Sequence, residues 1–189
     1  MFFKEKSVIF QQGNVGSGFY YIEKGLIKIV TMKSDDSERI LDLAGPGVII
    51  GEQVIDDLPY YSTAISQQDS VLYYFSKKDY EELSQKYPEV IILLAGSLIL
   101  KEKLLLSNIM ATSADTHYQV ARSLLHLMES CKSREINMTQ QELSLYVGLT
   151  RITVYKILKK WTAEGILSIK NRKIYIIDPN ALRRICLIA

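Results

Sequence analysis

The chain has 189 residues, 48% of them hydrophobic and 23% charged, a composition that supports one or two packed cores and excludes a disordered chain. Its net charge of +2 hides an asymmetry: through Ala114 there are 11 basic and 15 acidic residues, net −4, and beyond it 12 basic and 6 acidic, net +6. A basic C-terminal module on an acidic N-terminal one points to nucleic acid or another anionic surface as the partner of the basic part.

From Val8 to about Phe75 the sequence predicts short strands: Phe19–Ile22, Leu26–Thr31, Arg39–Ala44, Val48–Ile50, Thr63–Ser66 and Val71–Phe75 are rich in Val, Ile, Thr, Tyr and Phe. Between them lie Gly13-Asn14, Gly16-Ser17-Gly18, Gly25, Ser34-Asp35-Asp36 and Gly45-Pro46-Gly47, which supply the dihedrals that turns need. Many short, evenly spaced strands predict an antiparallel barrel or sandwich. Ser76 is the expected cap of a short helix over Lys77–Lys86.

A long helix is expected from Pro88 to about Met110. Ile91, Leu94, Leu98 and Leu105 follow one apolar seam, and Leu93, Leu100 and Leu104 another. A helix apolar on several sides must be covered on several sides, either as the central helix of a single-chain core or, as favoured, between its own barrel and the same helix of a second subunit. The apolar run Val90–Leu100 has 11 residues, against about 20 for a bilayer span, so no membrane partner is expected.

After a polar break at Thr112-Ser113-Ala114, Asp115 is the expected cap of a helix reaching Ser130, with Val120, Leu124, Leu127 and Met128 inward. Thr139-Gln140-Gln141-Glu142 fits a capping box and starts another helix. From Thr139 to Trp161 the spacing is that of a helix-turn-helix. Leu143 and Val147 face inward and the small Ser144 sits where two helices approach. Gly148 makes the left-handed turn, Leu149 plugs the corner, and Thr150 caps a second helix whose Val154, Ile157, Leu158 and Trp161 face the core. The opposite side of that helix holds Ile152, Tyr155, Lys156 and Lys159, with Arg151 at its start, the surface that a recognition helix lays into the major groove. Arg151 suits guanine O6 and N7, and Lys156 and Lys159 suit a base edge or phosphates. Ile166–Ile169 and Ile174–Ile177 then predict two strands with a basic tip at Lys170-Asn171-Arg172-Lys173, and Asp178-Pro179 starts a last helix ending near Leu187.

In order, these elements make a barrel, a long helix and a winged helix-turn-helix. Together with Gly18-Phe19-Tyr20-Tyr21-Ile22, Gly25-Leu26-Ile27-Lys28, Gly45-Pro46-Gly47, Gly51-Glu52 and Thr139–Lys160, the order resembles the cAMP receptor protein and fumarate-nitrate regulator family of bacterial transcription factors. The resemblance implies an α+β chain in three parts. Residues 1–87 would be an antiparallel β-roll, or jelly-roll, sensor domain of the cyclic-nucleotide-binding type. Residues 88–114 would be a long dimerisation helix and hinge, and 115–189 a winged helix-turn-helix. It also implies a further N-terminal helix ahead of the barrel, so the chain reads as truncated or as starting upstream.

By that resemblance the DNA-binding set is Thr139, Gln140, Thr150, Arg151, Ile152, Thr153, Tyr155, Lys156, Lys159 and Arg172, the effector pocket is Gly51, Glu52, Ser62, Thr63, Leu104 and Leu105, and the dimer seam is Ile91, Leu94, Leu98 and Leu105. Gly51 and Glu52 match the positions that contact a ribose in cAMP-binding members. Ser62 stands where those members have an arginine for the cyclic phosphate, followed by Thr63-Ala64, and Leu104–Leu106 stand where they have Thr and Ser meeting the adenine. A nucleotide anion is therefore expected to meet an apolar wall and no cation, and the effector is expected to be a small molecule other than cAMP. Ile152 replaces a glutamate that accepts from cytosine, which predicts a half-site different from that of the cAMP receptors, with a thymine methyl as the contact.

Residues 1–114 contain no cysteine, against the several that iron-sulfur members carry near the N-terminus. Cys131 and Cys186 are 55 residues apart and cannot build a zinc or iron-sulfur site within one subunit, which fits a reduced cytoplasmic protein. His117 and His126 read as surface or packing residues. The barrel segment has no histidine, so no enzyme is expected. The expected activity is effector-responsive regulation of transcription by a homodimer on a near-palindromic site in double-stranded DNA, with RNA polymerase as a further partner if the protein activates. The alternative is a regulatory module that responds to cAMP or cGMP.

Overall fold

Eight short strands carry the apolar alternation of the first part of the chain: β1 (Phe2–Phe3), β2 (Val8–Phe10), β3 (Gly18–Lys24), β4 (Ile27–Met32), β5 (Glu38–Ala44), β6 (Ile49–Ile50), β7 (Thr63–Ser66) and β8 (Ser70–Ser76). The structure, a computed structural model, describes residues 1–32, 37–111 and 115–188. The expected turn at Ser34-Asp35-Asp36 and the expected break at Thr112-Ser113-Ala114 lie outside the described residues. Packing divides the chain into two compact units, Met1–Ser37 with Leu41–Ser107, and Glu38–Ile40 with Asn108–Ala189.

In the first unit two four-stranded sheets run in the orders β1-β8-β3-β6 and β2-β7-β4-β5. The β3–β8 ladder pairs Phe19 with Phe75, Tyr20 with Tyr74, Tyr21 with Tyr73 and Ile22 with Leu72, all antiparallel. Strand alternation sends Ile22, Ile27, Ala44, Ile50, Ala64 and Leu72 into one core, joined by Phe10, Val54 and Tyr60. Each fully buried Ile or Leu side chain contributes about 1.5–3 kcal/mol. Two elements went unread in the sequence, β1 and β2, because runs of two or three residues leave no period to detect. A 3-10 helix over Glu52–Asp56 was also unread.

Helix α1 (Lys77–Lys86) is capped by Ser76, whose hydroxyl accepts from the Asp79 N–H while the Asp79 carboxylate accepts from the Ser76 N–H. The long helix α2 spans Glu89–Ala111. Among the described residues no helix is long and apolar enough to cross a membrane.

The second unit holds α3 (Thr116–Cys131), β9 (Glu135–Ile136), α4 (Gln140–Val147), α5 (Arg151–Ala163), β10 (Leu167–Lys170), β11 (Lys173–Ile176) and α6 (Pro179–Ile188). Asp115 caps α3 through the His117 N–H at 2.8 Å. Val120, Leu124 and Leu127 are buried, whereas Met128, expected inward, is half-buried. The first wing strand sits one residue later than expected and the second one residue earlier, and β9, unread in the sequence, adds a third strand in the order β10-β11-β9. Leu143, Val154, Leu158, Trp161, Leu167 and Ile174 are all buried in this unit.

Candidate DNA-binding surface and effector pocket

The helix-turn-helix is fixed by local chemistry. Thr139 and Glu142 form a reciprocal capping box, satisfying two backbone donors that a helix start leaves open. At the other end of α4, Gly148 adopts φ 81°, and its N–H and that of Leu149 both donate to the Ser144 carbonyl, at 2.9 and 3.2 Å. That left-handed geometry disfavours any residue with a Cβ. Thr150 then caps α5, its hydroxyl accepting from the Thr153 N–H at 3.2 Å and lying 2.9 Å from the Thr153 hydroxyl.

With Val154, Ile157, Leu158 and Trp161 buried on one side of α5, the helical period turns Arg151, Ile152, Tyr155, Lys156 and Lys159 out to solvent. Ile152 is 68% exposed, an apolar side chain in a polar setting, as a contact residue would be. Among the described residues no acidic side chain pairs with Arg151, Lys156 or Lys159, whereas Lys160, one step further round, lies 4.0 Å from Glu164. The outward side of α5 therefore carries uncompensated positive charge, to which the N-terminal end of the helix dipole adds.

The wing presents a second basic point. Lys170 pairs with Lys173 across a two-residue turn in which Asn171 and Arg172 both have positive φ, 51° and 63°, as in a type I′ hairpin. Lys173 is tied to Glu135 at 2.5 Å, so Arg172 and Lys170 carry the positive charge of the tip. Of the expected DNA-binding residues, Arg151, Ile152, Tyr155, Lys156, Lys159, Arg172 and Thr150 are exposed, and Thr139, Gln140 and Thr153 are half-buried.

In the β-roll, Gly51 adopts φ 82° at the start of the 3-10 helix. A Cβ there would lie 3.1 Å from the Tyr60 ring and 3.2 Å from Phe10. This turn directs Glu52 inward, where it is only 6% exposed. Lys101 of α2 reaches it: the ammonium donates to Glu52 Oε1 and, at 2.7 Å, to the Ile49 carbonyl. The expected absence of a cation is thus corrected. Lys101 directly follows the apolar run Val90–Leu100, and its partner lies 49 residues away, beyond the reach of any local pattern. Glu52 Oε2 is buried with no hydrogen-bond partner among the described residues.

Ser62 is buried, and Thr63 Oγ1 accepts from the Gln12 N–H at 3.0 Å; neither brings charge. On α2, Leu104 is half-buried, but Leu105 is 59% exposed and falls within about 20° of Leu98 on the helical wheel. Leu105 therefore shares the exposed side of α2 with Leu98. In the expected dimer seam Ile91 and Leu98 are also exposed, while Leu94 is buried. An open depression of about 340 Å³, lined by Phe10, Tyr20, Tyr60, Tyr74 and the 14–17 loop, lies elsewhere on the roll and shares no residue with the expected pocket.

Comparison with known proteins matches both halves. The family model of the cyclic nucleotide-binding domain covers residues 1–87, and that of the Crp-like helix-turn-helix domain covers residues 118–185. The chain belongs to the Crp/Fnr family of transcription regulators. As a Crp/Fnr regulator it combines a DNA-binding helix-turn-helix with an effector-binding domain. It is 28% identical to the cyclic AMP receptor protein of Thermus thermophilus over 162 residues, covering 84% of this chain and 74% of that protein. To the anaerobic regulatory protein of Pasteurella multocida it is 27% identical over 187 residues, 95% of this chain and 68% of that one. Its fold follows that of a Crp/Fnr-family transcriptional regulator from Thermus thermophilus with TM-score 0.86 at 22% identity, over 99% of this chain and 97% of the other.

Proposed function

We propose that the protein binds a near-palindromic site in double-stranded DNA as a homodimer, with α5 of each subunit in successive major grooves. Arg151 takes a guanine edge, Ile152 meets a thymine methyl, Lys156 and Lys159 take a base edge or phosphates, and Arg172 at the wing takes a phosphate. Thr139, Gln140, Thr150, Thr153 and Tyr155 lie at the rim of the same surface. The observation that carries this reading is the outward side of α5, where three cations stand without acidic partners among the described residues around an exposed isoleucine. Residues 88–114 serve as the dimerisation helix and hinge, through the outward seam of Ile91, Leu98 and Leu105. If the protein activates transcription, RNA polymerase is its further partner.

The pocket around Gly51, Glu52, Ser62, Thr63 and Leu104 is not built for cyclic AMP. Lys101 is already engaged by Glu52, and Ser62 and Thr63 offer no charge to a phosphate. Selection from random DNA, followed by binding measurements across salt, tests the whole reading. The expected outcome is a two-fold symmetric site unlike that of the cAMP receptors, with affinity falling by about 10³–10⁵ between roughly 50 and 200 mM salt if six to ten phosphates are contacted. Salt-insensitive binding, or specific binding that appears only when cAMP is added, would overturn it.

A further inference from the structure

We propose that Lys101 is an internal ligand of the β-roll: its ammonium holds the hydrogen-bonding place at Glu52, so that α2 is docked on the roll without a diffusible effector. The inference rests on reading the chain as a DNA-binding regulator controlled through this unit.

Three observations carry it. Glu52 is turned inward by the left-handed Gly51 and its carboxylate is all but removed from water, so its charge needs a partner inside the protein. Lys101 supplies that partner with two of its three donors, one to Glu52 Oε1 and one to the Ile49 carbonyl, while its own side chain is 29% exposed. Both acceptors belong to the roll and the donor to the long helix, so the contact joins the two elements that an effector in this pocket would have to join. A ligand hydroxyl in this place would also donate to the carboxylate, but only the ammonium brings a compensating positive charge to it. Removing Lys101 leaves a buried carboxylate without a cation, the costly half of a broken ion pair. The docked state is therefore linked to one side chain of the protein itself.

The test uses the full chain and a duplex carrying the site selected from random DNA. Wild-type protein, unfolded in denaturant, dialysed free of small molecules and refolded, should bind that duplex as tightly as protein purified without unfolding. The Lys101→Ala variant should bind roughly tenfold more weakly, within the range that one allosteric coupling spans. Propylammonium chloride, compared with sodium chloride of equal concentration, should restore affinity in the variant and leave the wild type unmoved, because it returns an ammonium to the vacated place. Hydrogen exchange across α2, measured without DNA, should be faster in the variant and slow again with propylammonium. The double variant Glu52→Gln with Lys101→Met, which removes both charges, should lose less than Lys101→Ala. Unchanged exchange and DNA affinity in Lys101→Ala, or losses that propylammonium does not recover in a variant with wild-type helix content, would overturn the inference. A wild type that binds no DNA before or after refolding would instead overturn the DNA-binding reading, while the exchange measurement would still decide the role of Lys101.

Discussion

The Tyr60 hydroxyl donates to the Gly18 carbonyl at 2.7 Å, and the Tyr60 ring stacks on Phe10 with centroids 4.2 Å apart. Burial, with Tyr20 and Tyr74 close by, pushes the Tyr60 phenol up from 10.0 to about 12. The fold therefore favours the neutral phenol. The stabilisation is complete below the ordinary value and is lost as pH rises through about 12. Absorbance titration of the tyrosines should show Tyr60 among the last to ionise, and Tyr60→Phe should delete that late step. The same variant loses one buried hydrogen bond and should cost the roll about 0.5–1.5 kcal/mol in denaturant unfolding.

Arg151 and Lys156 should separate base reading from phosphate contact. Arg151→Ala is expected to cost about 1–3 kcal/mol on the selected site and little on unrelated DNA. If Lys156 holds a phosphate, Lys156→Ala should weaken both and lower the slope of log affinity against log salt by about one. An Arg151→Ala loss that is equal on every sequence would place this side chain on the backbone of the DNA.

Gly148 closes the turn of the helix-turn-helix at φ 81°. Gly148→Ala puts a Cβ into the left-handed region and should destabilise the winged-helix unit by about 1–2 kcal/mol. Trp161 is the single tryptophan of the chain and is buried in this unit, so its emission reads that transition apart from unfolding of the roll.

At the start of α3, the Asp115 carboxylate is held below its ordinary value of 3.8, first by the His117 backbone N–H. A depressed value means that the cap stabilises the folded state at pH above 3.8 and is lost as pH falls through the lower folded value. Helix fraying at the end of α3 that carries His117, whose ring lies 6.1 Å from that of Trp161, should appear in Trp161 emission on acidification. Asp115→Asn keeps a capping oxygen without a titratable group and should flatten the response.

Ile91 and Leu98 are about half exposed in the single chain and recur seven residues apart with Leu105. Replacing Leu98 with glutamate places a charge in the proposed dimer seam. Sedimentation should then show monomers, and binding to the full two-fold site should fall to that of a half-site.

How much the sequence revealed depended on how local each cause was. Ser76, Asp115, Thr139, Gly148 and Thr150 were legible because a cap or a left-handed turn is decided within four residues, and the buried side of α5 followed from its period. The strands β1 and β9 were not, since two residues carry no alternation, and β9 exists only because β11 offers it a ladder at Ile136 and Glu135. In the pocket, Gly51 and Glu52 were found by motif. Lys101 was missed because an ion pair across 49 residues leaves no spacing to read. Leu105 was expected on two surfaces, and only its exposure separates them.

The turn at the wing tip has a consequence for timing. Asn171 and Arg172 are both held at positive φ, so the segment has few backbone conformations left to give up when it meets a phosphate. Its ordering entropy is settled during folding rather than at encounter. In the proposed complex with DNA, Arg172 is then a fixed point that holds a complex already formed. Loosening the turn with Asn171→Gly should shorten the residence time on DNA while leaving the rate of association nearly as it was.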